Sequence, residues 1–200
     1  KESLGATITA LNVGNNKNDA ILRKALAIGA DKAVRINQDP TSSKIVADCI
    51  ASYCSQHTFD LIFCGTESID YNGGQVPGYI ASNLKIPFIN GCIGLEIEGS
   101  ILNLKRTIDN GHEICTSTLP TLIAGQKGLV EEKELRIPSM RGIMTARTKP
   151  LEVIESSLID ESSVKVLKYE KPLARSECKI IEDNNVKSLV ELLQSEAKVI

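Results

Sequence analysis

Tryptophan is absent from this 200-residue chain, and aromatic residues make up only 4% of it. Platforms that stack the bases of single-stranded nucleic acid need such rings, so that class of partner is disfavoured at the outset. Histidine is scarce as well: His57 and His112 are the two present, which leaves little from which to build a histidine-based metal centre. The six cysteines, Cys49, Cys54, Cys64, Cys92, Cys115 and Cys178, include no CxxC pair and are scattered through apolar or strand-like stretches. That pattern fits reduced, mostly buried thiols rather than a disulfide framework or a zinc site. No apolar run reaches the roughly 18 residues of a membrane-spanning helix, and no stretch reads as a secretory leader.

Charge of either sign is also in short surplus. The net charge of −2 and pI near 5.8 give no general attraction for phosphate polymers or anionic membranes. "ARTKP" near residue 147 is the densest basic stretch, and it reads as a solvated loop or helix end. Neither GxGxxG nor GxxxxGK[ST] occurs, which argues against a standard dinucleotide or P-loop site. Glu96 and Glu98 alternate as solvated carboxylates on a strand usually do. His112 lies beside a hairpin turn with no cysteine or serine partner. An enzyme that cleaves an adenylate would therefore lack both nucleophile and metal cluster.

What the chain does have is the composition of a soluble globular protein, with 42% hydrophobic and 24% charged residues. "KESLGATITALNVG" reads as the tail of a helix running into a strand, so the domain is expected to begin ahead of Lys1. "KNDAILRKALAIGAD" then carries Ile21, Leu22, Ala25, Leu26 and Ile28 at helical spacing, with Gly29 as its stop. "KAVRIN" is the next strand. Residues 42–56 form a second helix with Ile45, Cys49 and Tyr53 on one face, and "DLIFCG" is a strand apolar enough to be buried on both sides. A third helix starts within "GGQVPGYIASNLK", provided Pro77 falls in its first turn. The order predicts parallel strands joined by right-handed crossovers.

From residue 87 the pattern changes to short strands broken at Gly99 and at Asn110-Gly111, a hairpin signal. Residues 126–150 read as loop with a short helical piece near "SMRGIMTAR", and 151–182 as polar and extended. Val186, Leu189, Val190, Leu193 and Ala197 make an apolar stripe on a terminal helix. That helix either reaches across a partner subunit or folds back on its own domain.

The stretch "GTESIDYNGGQVPG", residues 65–78, leaves a buried strand through four glycines. In an open parallel sheet, ligands sit at the carboxyl ends of strands, next to helix N-termini. Gly73 and Gly74 would let backbone approach a phosphate closely, and the first N–H groups of the following helix offer an anion site without any lysine. Asp70 or Asn72 suits ribose hydroxyls, and Ser68 or Thr66 could donate to phosphate or base. The alternative is a turn that merely re-aims the chain.

Several blocks, in order, resemble the beta subunit of electron transfer flavoprotein: "LNVGNNKNDAILRKALAIGADKAVRI", "DLIFCGTESIDYNGGQVPGYIASNLKIPFING", "KRTIDNGHEICTSTLPTLIAGQ", "RIPSMRGIMTARTKPLEVI" and "VELLQSEAKVI". The likeness covers nearly the whole chain. It includes the family signature in Arg106, Asp109, Gly111, Glu113, Pro120, Leu122, Ile123 and Ala124, with mild departures at Leu104, Asn110 and Cys115. The segment 127–135 is slightly longer than usual. The resemblance places the family's first strand and helix ahead of "KESLG".

What this resemblance implies is an adenine-nucleotide-binding, Rossmann-like α/β domain over residues 1–150, with a parallel sheet and an added antiparallel section. Residues 151–200 would form an extended C-terminal arm whose last helix packs on the partner subunit. It implies a heterodimer with an alpha subunit that carries FAD, shuttling electrons from acyl-CoA-type flavin-dependent dehydrogenases to a downstream acceptor. This subunit would hold a structural AMP, or a second FAD in electron-bifurcating members. The nucleotide would be wrapped by Gly65, Thr66, Glu67, Ser68, Ile69, Asp70, Tyr71, Asn72, Gly73, Gly74, Gln75 and Val76, with Val13 also lining it. Tyr71 would crowd a flavin, which favours AMP. Dehydrogenase docking would use Met140, flanked by Arg136 and Arg141; unaided by the resemblance, Met140 reads as core packing of a short helix. The resemblance implies no substrate turnover, no nucleic acid and no membrane insertion, and a cytoplasmic location, or the mitochondrial matrix in a eukaryote. The rival reading is a stand-alone ATP-binding regulatory domain of similar architecture.

Overall fold

A computed structural model of the chain describes residues 4–69, 72–159, 167–175 and 178–200. The chain divides into two units, residues 1–165 and 166–200. The first opens with the expected alternation: β1 (Thr9–Val13), α1 (Asp19–Ile28), β2 (Lys32–Asn37), α2 (Ser43–Ser55), β3 (Leu61–Gly65) and α3 (Val76–Leu84).

Local chemistry sets the helix boundaries. The Ser42 hydroxyl accepts from the Ile45 N–H and caps α2. Pro77 falls in the first turn of α3, where its missing N–H leaves no helical bond unmade. Gly29 ends α1 at φ +149°, a conformation that favours glycine. On α1 only Leu22 and Leu26 are buried, while Ile21 and Ile28 face solvent, so the apolar stripe that packs is narrower than the spacing suggests. Burying each of those leucines contributes about 1.5–3 kcal/mol.

From Phe88 the strands turn antiparallel: β4 (Phe88–Glu98), β5 (Ile101–Ile108) and β6 (Gly111–Thr118), followed by β7 (Thr121–Gly125), α4 (Met140–Ala146) and β8 (Leu151–Glu155). Gly99, at φ +63°, turns β4 into β5. The next turn is Asp109-Asn110, because Gly111 already pairs with Ile108. The hairpin signal at Asn110-Gly111 therefore lies one residue out of register, and β4, at 11 residues, is longer than the short strands expected.

The strands form two sheets. One has the order β1-β2-β8, with every pairing parallel. The other runs β3-β7-β4-β5-β6, parallel as far as β4 and antiparallel beyond it. The fold is thus α/β with an antiparallel section, as the sequence predicts. Strand β8 falls in the stretch 151–182, expected to be polar and extended; it joins a sheet through β2, far away in sequence.

One expectation fails. The strand "DLIFCG" is not buried on both sides: Phe63 is 54% exposed and Leu61, Ile62 and Cys64 are half-buried. The physical reason is that β3 is an edge strand, bonded to β7 on one side only.

Helix α2 covers one face of both sheets. Its Ile45, Cys49 and Tyr53 pack with Val13, Val34 and Ile36, its Ala47 packs with Ile80, Ala81 and Leu122, and Ile50 touches both groups. The opposite face of the first sheet holds Leu22 and Leu26 of α1, Ala33 and Ala146. Among the described residues of 166–200 there is one α-helix, α5 (Val186–Leu192), continued by a π-type turn over Leu193–Ala197. Asn185 caps α5 by accepting from the Ser188 N–H, and Lys179 pairs with Glu196 at 2.7 Å.

Candidate nucleotide loop and docking helix

The glycine-rich loop starts at the carboxyl end of β3, where Gly65 lies in register with Gly125 at the end of β7. Thr66 ties the two together: its N–H donates to the Gly125 carbonyl at 3.1 Å, and its hydroxyl is directed at the carbonyls of Ala124 and Gly125 at 3.3 and 3.0 Å. Its proton is engaged inside the protein, so a ligand would meet Thr66 as an acceptor rather than the donor expected.

Beyond Glu67 the loop closes on itself. Ser68 and Gly73 form an antiparallel bridge, with the Ser68 N–H donating to the Gly73 carbonyl at 3.4 Å. Ile69 stands 98% exposed at the tip. Asn72 adopts φ +49°, a left-handed conformation that asparagine tolerates better than most residues. Asp70 and Tyr71 lie outside the described residues.

Gly74 approaches the Thr66 carbonyl so closely that a Cβ would stand 3.3 Å from that oxygen. Glycine there lets the loop come back beside its own start without a tight contact. Gln75 then leads into α3 without a side-chain cap. The loop thus delivers the uncapped start of a nine-residue helix to the carboxyl ends of two parallel strands. Such a helix start concentrates unbonded N–H groups and the positive end of the dipole, which suits an anion.

Val13 ends β1 and is buried beneath α2. Beside it lies a polar network that sequence reasoning missed. Arg35, only 6% exposed, donates from Nε to Asp19 at 2.6 Å and from Nη1 to the Gly14 carbonyl at 3.2 Å and Asn37 Oδ1 at 2.9 Å. Asn37 in turn donates to Glu155 at 2.8 Å. The network pins the carboxyl ends of β1, β2 and β8 to the start of α1. Its sequence signal is an arginine inside the apolar strand "KAVRIN", where a buried cation requires a partner.

His57 bonds the Tyr53 carbonyl at 2.8 Å and stacks on the Tyr53 ring; His112 is exposed. All six cysteines are free. Burial pushes the thiols of Cys54 and Cys64 up to about 11, so both are protonated at neutral pH and poor nucleophiles. Among the described residues no cluster could hold a metal ion, and no helix is long and apolar enough to cross a membrane.

Met140 opens α4 and is 76% exposed, so it is not core packing. Arg136 and Arg141 flank it, both exposed, and Ile137, Ile143 and Met144 add apolar surface. The helix beneath is rigidly held. The Ser139 hydroxyl caps it through the Gly142 N–H at 3.0 Å. Arg23 donates to the carbonyls of Ala146 and Lys149 at 2.7 Å each, and Lys149 returns bonds to the Leu26 and Ala30 carbonyls at the end of α1. In the family signature, Arg106 faces Glu113 across β5 and β6 and pairs with it, while Leu122, Ile123 and Ala124 are fully buried.

Residues 1–158 match the electron transfer flavoprotein domain. A relative from Bacillus subtilis named electron transfer flavoprotein subunit beta is 37% identical, over 100% of this chain and 82% of its own length. One of the same name from Syntrophomonas wolfei is 30% identical, over 92% of this chain and 71% of its own. A third, from Anaerotignum propionicum, is named acryloyl-CoA reductase electron transfer subunit gamma and is 28% identical, over 83% of this chain and 64% of its own. The chain therefore belongs to the electron transfer flavoprotein beta-subunit family, whose members carry electrons and turn over no substrate of their own.

Proposed function

We propose that this chain pairs with an alpha subunit as one half of a cytoplasmic electron transfer flavoprotein, moving electrons from acyl-CoA-type dehydrogenases to a downstream acceptor. The FAD shared with the alpha subunit supplies the redox chemistry. This chain contributes a scaffold for that partner, a structural AMP and a docking surface.

The observation that carries this reading is the Gly65–Val76 loop, which brings the uncapped start of α3 to the carboxyl ends of β3 and β7. In a Rossmann-like domain of this family, that placement suits an adenine nucleotide better than a bare turn does. The phosphate would meet the α3 N–H groups, Asn72 and Asp70 would take the ribose, and Val13 would border the site. A nucleotide that binds only the folded chain stabilises it by mass action, which fits a structural role. Tyr71 favours AMP over a second FAD.

Met140, with Arg136 and Arg141, is the proposed contact for dehydrogenases. A flexible thioether on a rigid helix suits partners of differing shape. Residues 151–200 would serve as an arm along the alpha subunit.

Co-expression with the alpha subunit tests the reading. A yellow heterodimer whose flavin absorbance bleaches anaerobically with an acyl-CoA dehydrogenase and its substrate is the expected result. A colourless, self-associating chain with bound ATP would instead establish the regulatory-domain alternative.

A further inference from the structure

Helix α4 carries the proposed docking anchor, yet by itself it is a weak element. It has seven residues, with Gly142 among them, and a helix of two turns is marginal in water, the more so with glycine inside it. Packing adds little. Ala146 is the one residue of α4 that is buried, while Met140, Ile143 and Met144 keep apolar surface outward. Side chains held out for a partner cannot also fasten the helix that bears them, so something other than apolar burial must fix its place.

A polar clasp with α1 does this. Each of the two helices ends in carbonyls that no later helical N–H reaches, and each receives a cation from the other's side of the joint. Arg23 of α1 donates from Nη1 to the carbonyl of Ala146, the last residue of α4, and to that of Lys149, at 2.7 Å each. Lys149 donates from Nζ to the Leu26 and Ala30 carbonyls, in and just past the last turn of α1, at 2.9 and 2.7 Å. Positive charge at a helix C-terminus is favoured by the bond and by the dipole together. Gly142 permits the exchange, because with no side chain there the main chain of α4 can lie against the Ala27 carbonyl.

We infer that Arg23 and Lys149 are positioning residues for electron transfer, acting not by contact with the dehydrogenase but by holding Met140 where it meets one. This rests on the reading of Met140 as the docking contact. When the clasp is lost, α4 spends part of its time out of place, and apparent affinity falls by the fraction of molecules that remain competent. The rate within the docked pair does not change.

Reduction of the heterodimer by an acyl-CoA dehydrogenase tests this, comparing the parent with Arg23→Met, Met140→Ala and the double variant. Arg23→Met removes the donors and should raise the apparent KM for the reducing dehydrogenase several-fold while kcat and FAD content hold. Arg23→Lys should recover part of the loss. In the Met140→Ala background, Arg23→Met should add nothing further, because the anchor it positions is gone. An unchanged KM in Arg23→Met beside a raised one in Met140→Ala would overturn the inference and leave the docking reading standing. Effects that multiply in the double variant would overturn it too, since Arg23 would then act independently of Met140. An unchanged KM in Met140→Ala would remove the docking reading and the inference with it. Should Arg23→Met fail to assemble with the alpha subunit, Lys149→Met takes its place and is judged by the same outcomes.

Discussion

Gly142 of α4 lies against the main-chain carbonyl of Ala27 in α1, so close that a Cβ at position 142 would stand 2.5 Å from that oxygen. Neither backbone can give way cheaply, because Arg23 and Lys149 bind the same two helices together. Gly142→Ala should therefore shift α4 and cost about 1–3 kcal/mol, measured by urea denaturation. Because α4 begins with Met140, the same substitution should weaken dehydrogenase binding. Unchanged stability would mean that the two helices can separate freely.

Met140 itself should behave differently. It is exposed and bonds to nothing through its side chain, so Met140→Ala should leave stability within about 0.5 kcal/mol. Loss of a central apolar anchor should raise the apparent KM for the reducing dehydrogenase several-fold. An equal KM for both proteins would remove Met140 from the docking surface.

Arg35 and Asp19 form a pair with one buried and one half-buried member. Arg35→Met strands Asp19, the Gly14 carbonyl and Asn37 without their donor, and should cost about 2–4 kcal/mol. Adding Asp19→Leu to Arg35→Met should recover part of that loss, because the unpaired carboxylate is then gone. A double variant less stable by the full sum of the single losses would show that the two residues do not act together.

Much of this was legible in the sequence and some was not, for physical reasons. The first three helices were legible through local pattern: apolar spacing on α1 and α2, Pro77 in a first turn, Gly29 as a stop; the Ser42 cap of α2 emerged only in the structure. The loop glycines read in the sequence as a way for backbone to approach a phosphate; the approach seen within the protein, of Gly74 to the Thr66 carbonyl, is a different one and depends on how the loop folds. Strand β8 was not, because "LEVIE" becomes a strand only through pairing with β2. Likewise "LIFCG" is apolar on both faces, yet burial depends on neighbours that a single strand cannot specify. Arg35 was passed over because its partners, Asp19, Gly14 and Asn37, meet only once β1, β2 and α1 have assembled.

Two half-buried thiols give the folded chain an alkaline limit. Cys54 and Cys64 have folded pKa values raised to about 11 by burial, above the ordinary thiol value. Below the unfolded pKa both states are protonated and the contribution to stability is fully present. As pH rises from about 9 towards 11, the unfolded chain ionises first and stability falls. The urea midpoint should drop over that window, and Cys54→Ser/Cys64→Ala should flatten the drop. At pH 8 a thiol reagent should modify the exposed Cys178 well before either. Rapid labelling of Cys54 and Cys64 at that pH would contradict their raised pKa values.

Gly74 tests the loop directly. Gly74→Val places a branched side chain against the Thr66 carbonyl, so the loop is pushed away from its own start and AMP binding should be weakened or lost in the purified heterodimer while the FAD remains. Retention of AMP would place the nucleotide elsewhere.

The most direct measurement is the identity of the nucleotides released when the heterodimer purified with its alpha subunit is denatured, read by mass spectrometry. One FAD and one AMP per heterodimer is the expected result, and it would mean an electron carrier with a structural nucleotide in the Gly65–Val76 loop. Two FAD and no AMP would contradict it, and would mean that the loop holds a second flavin.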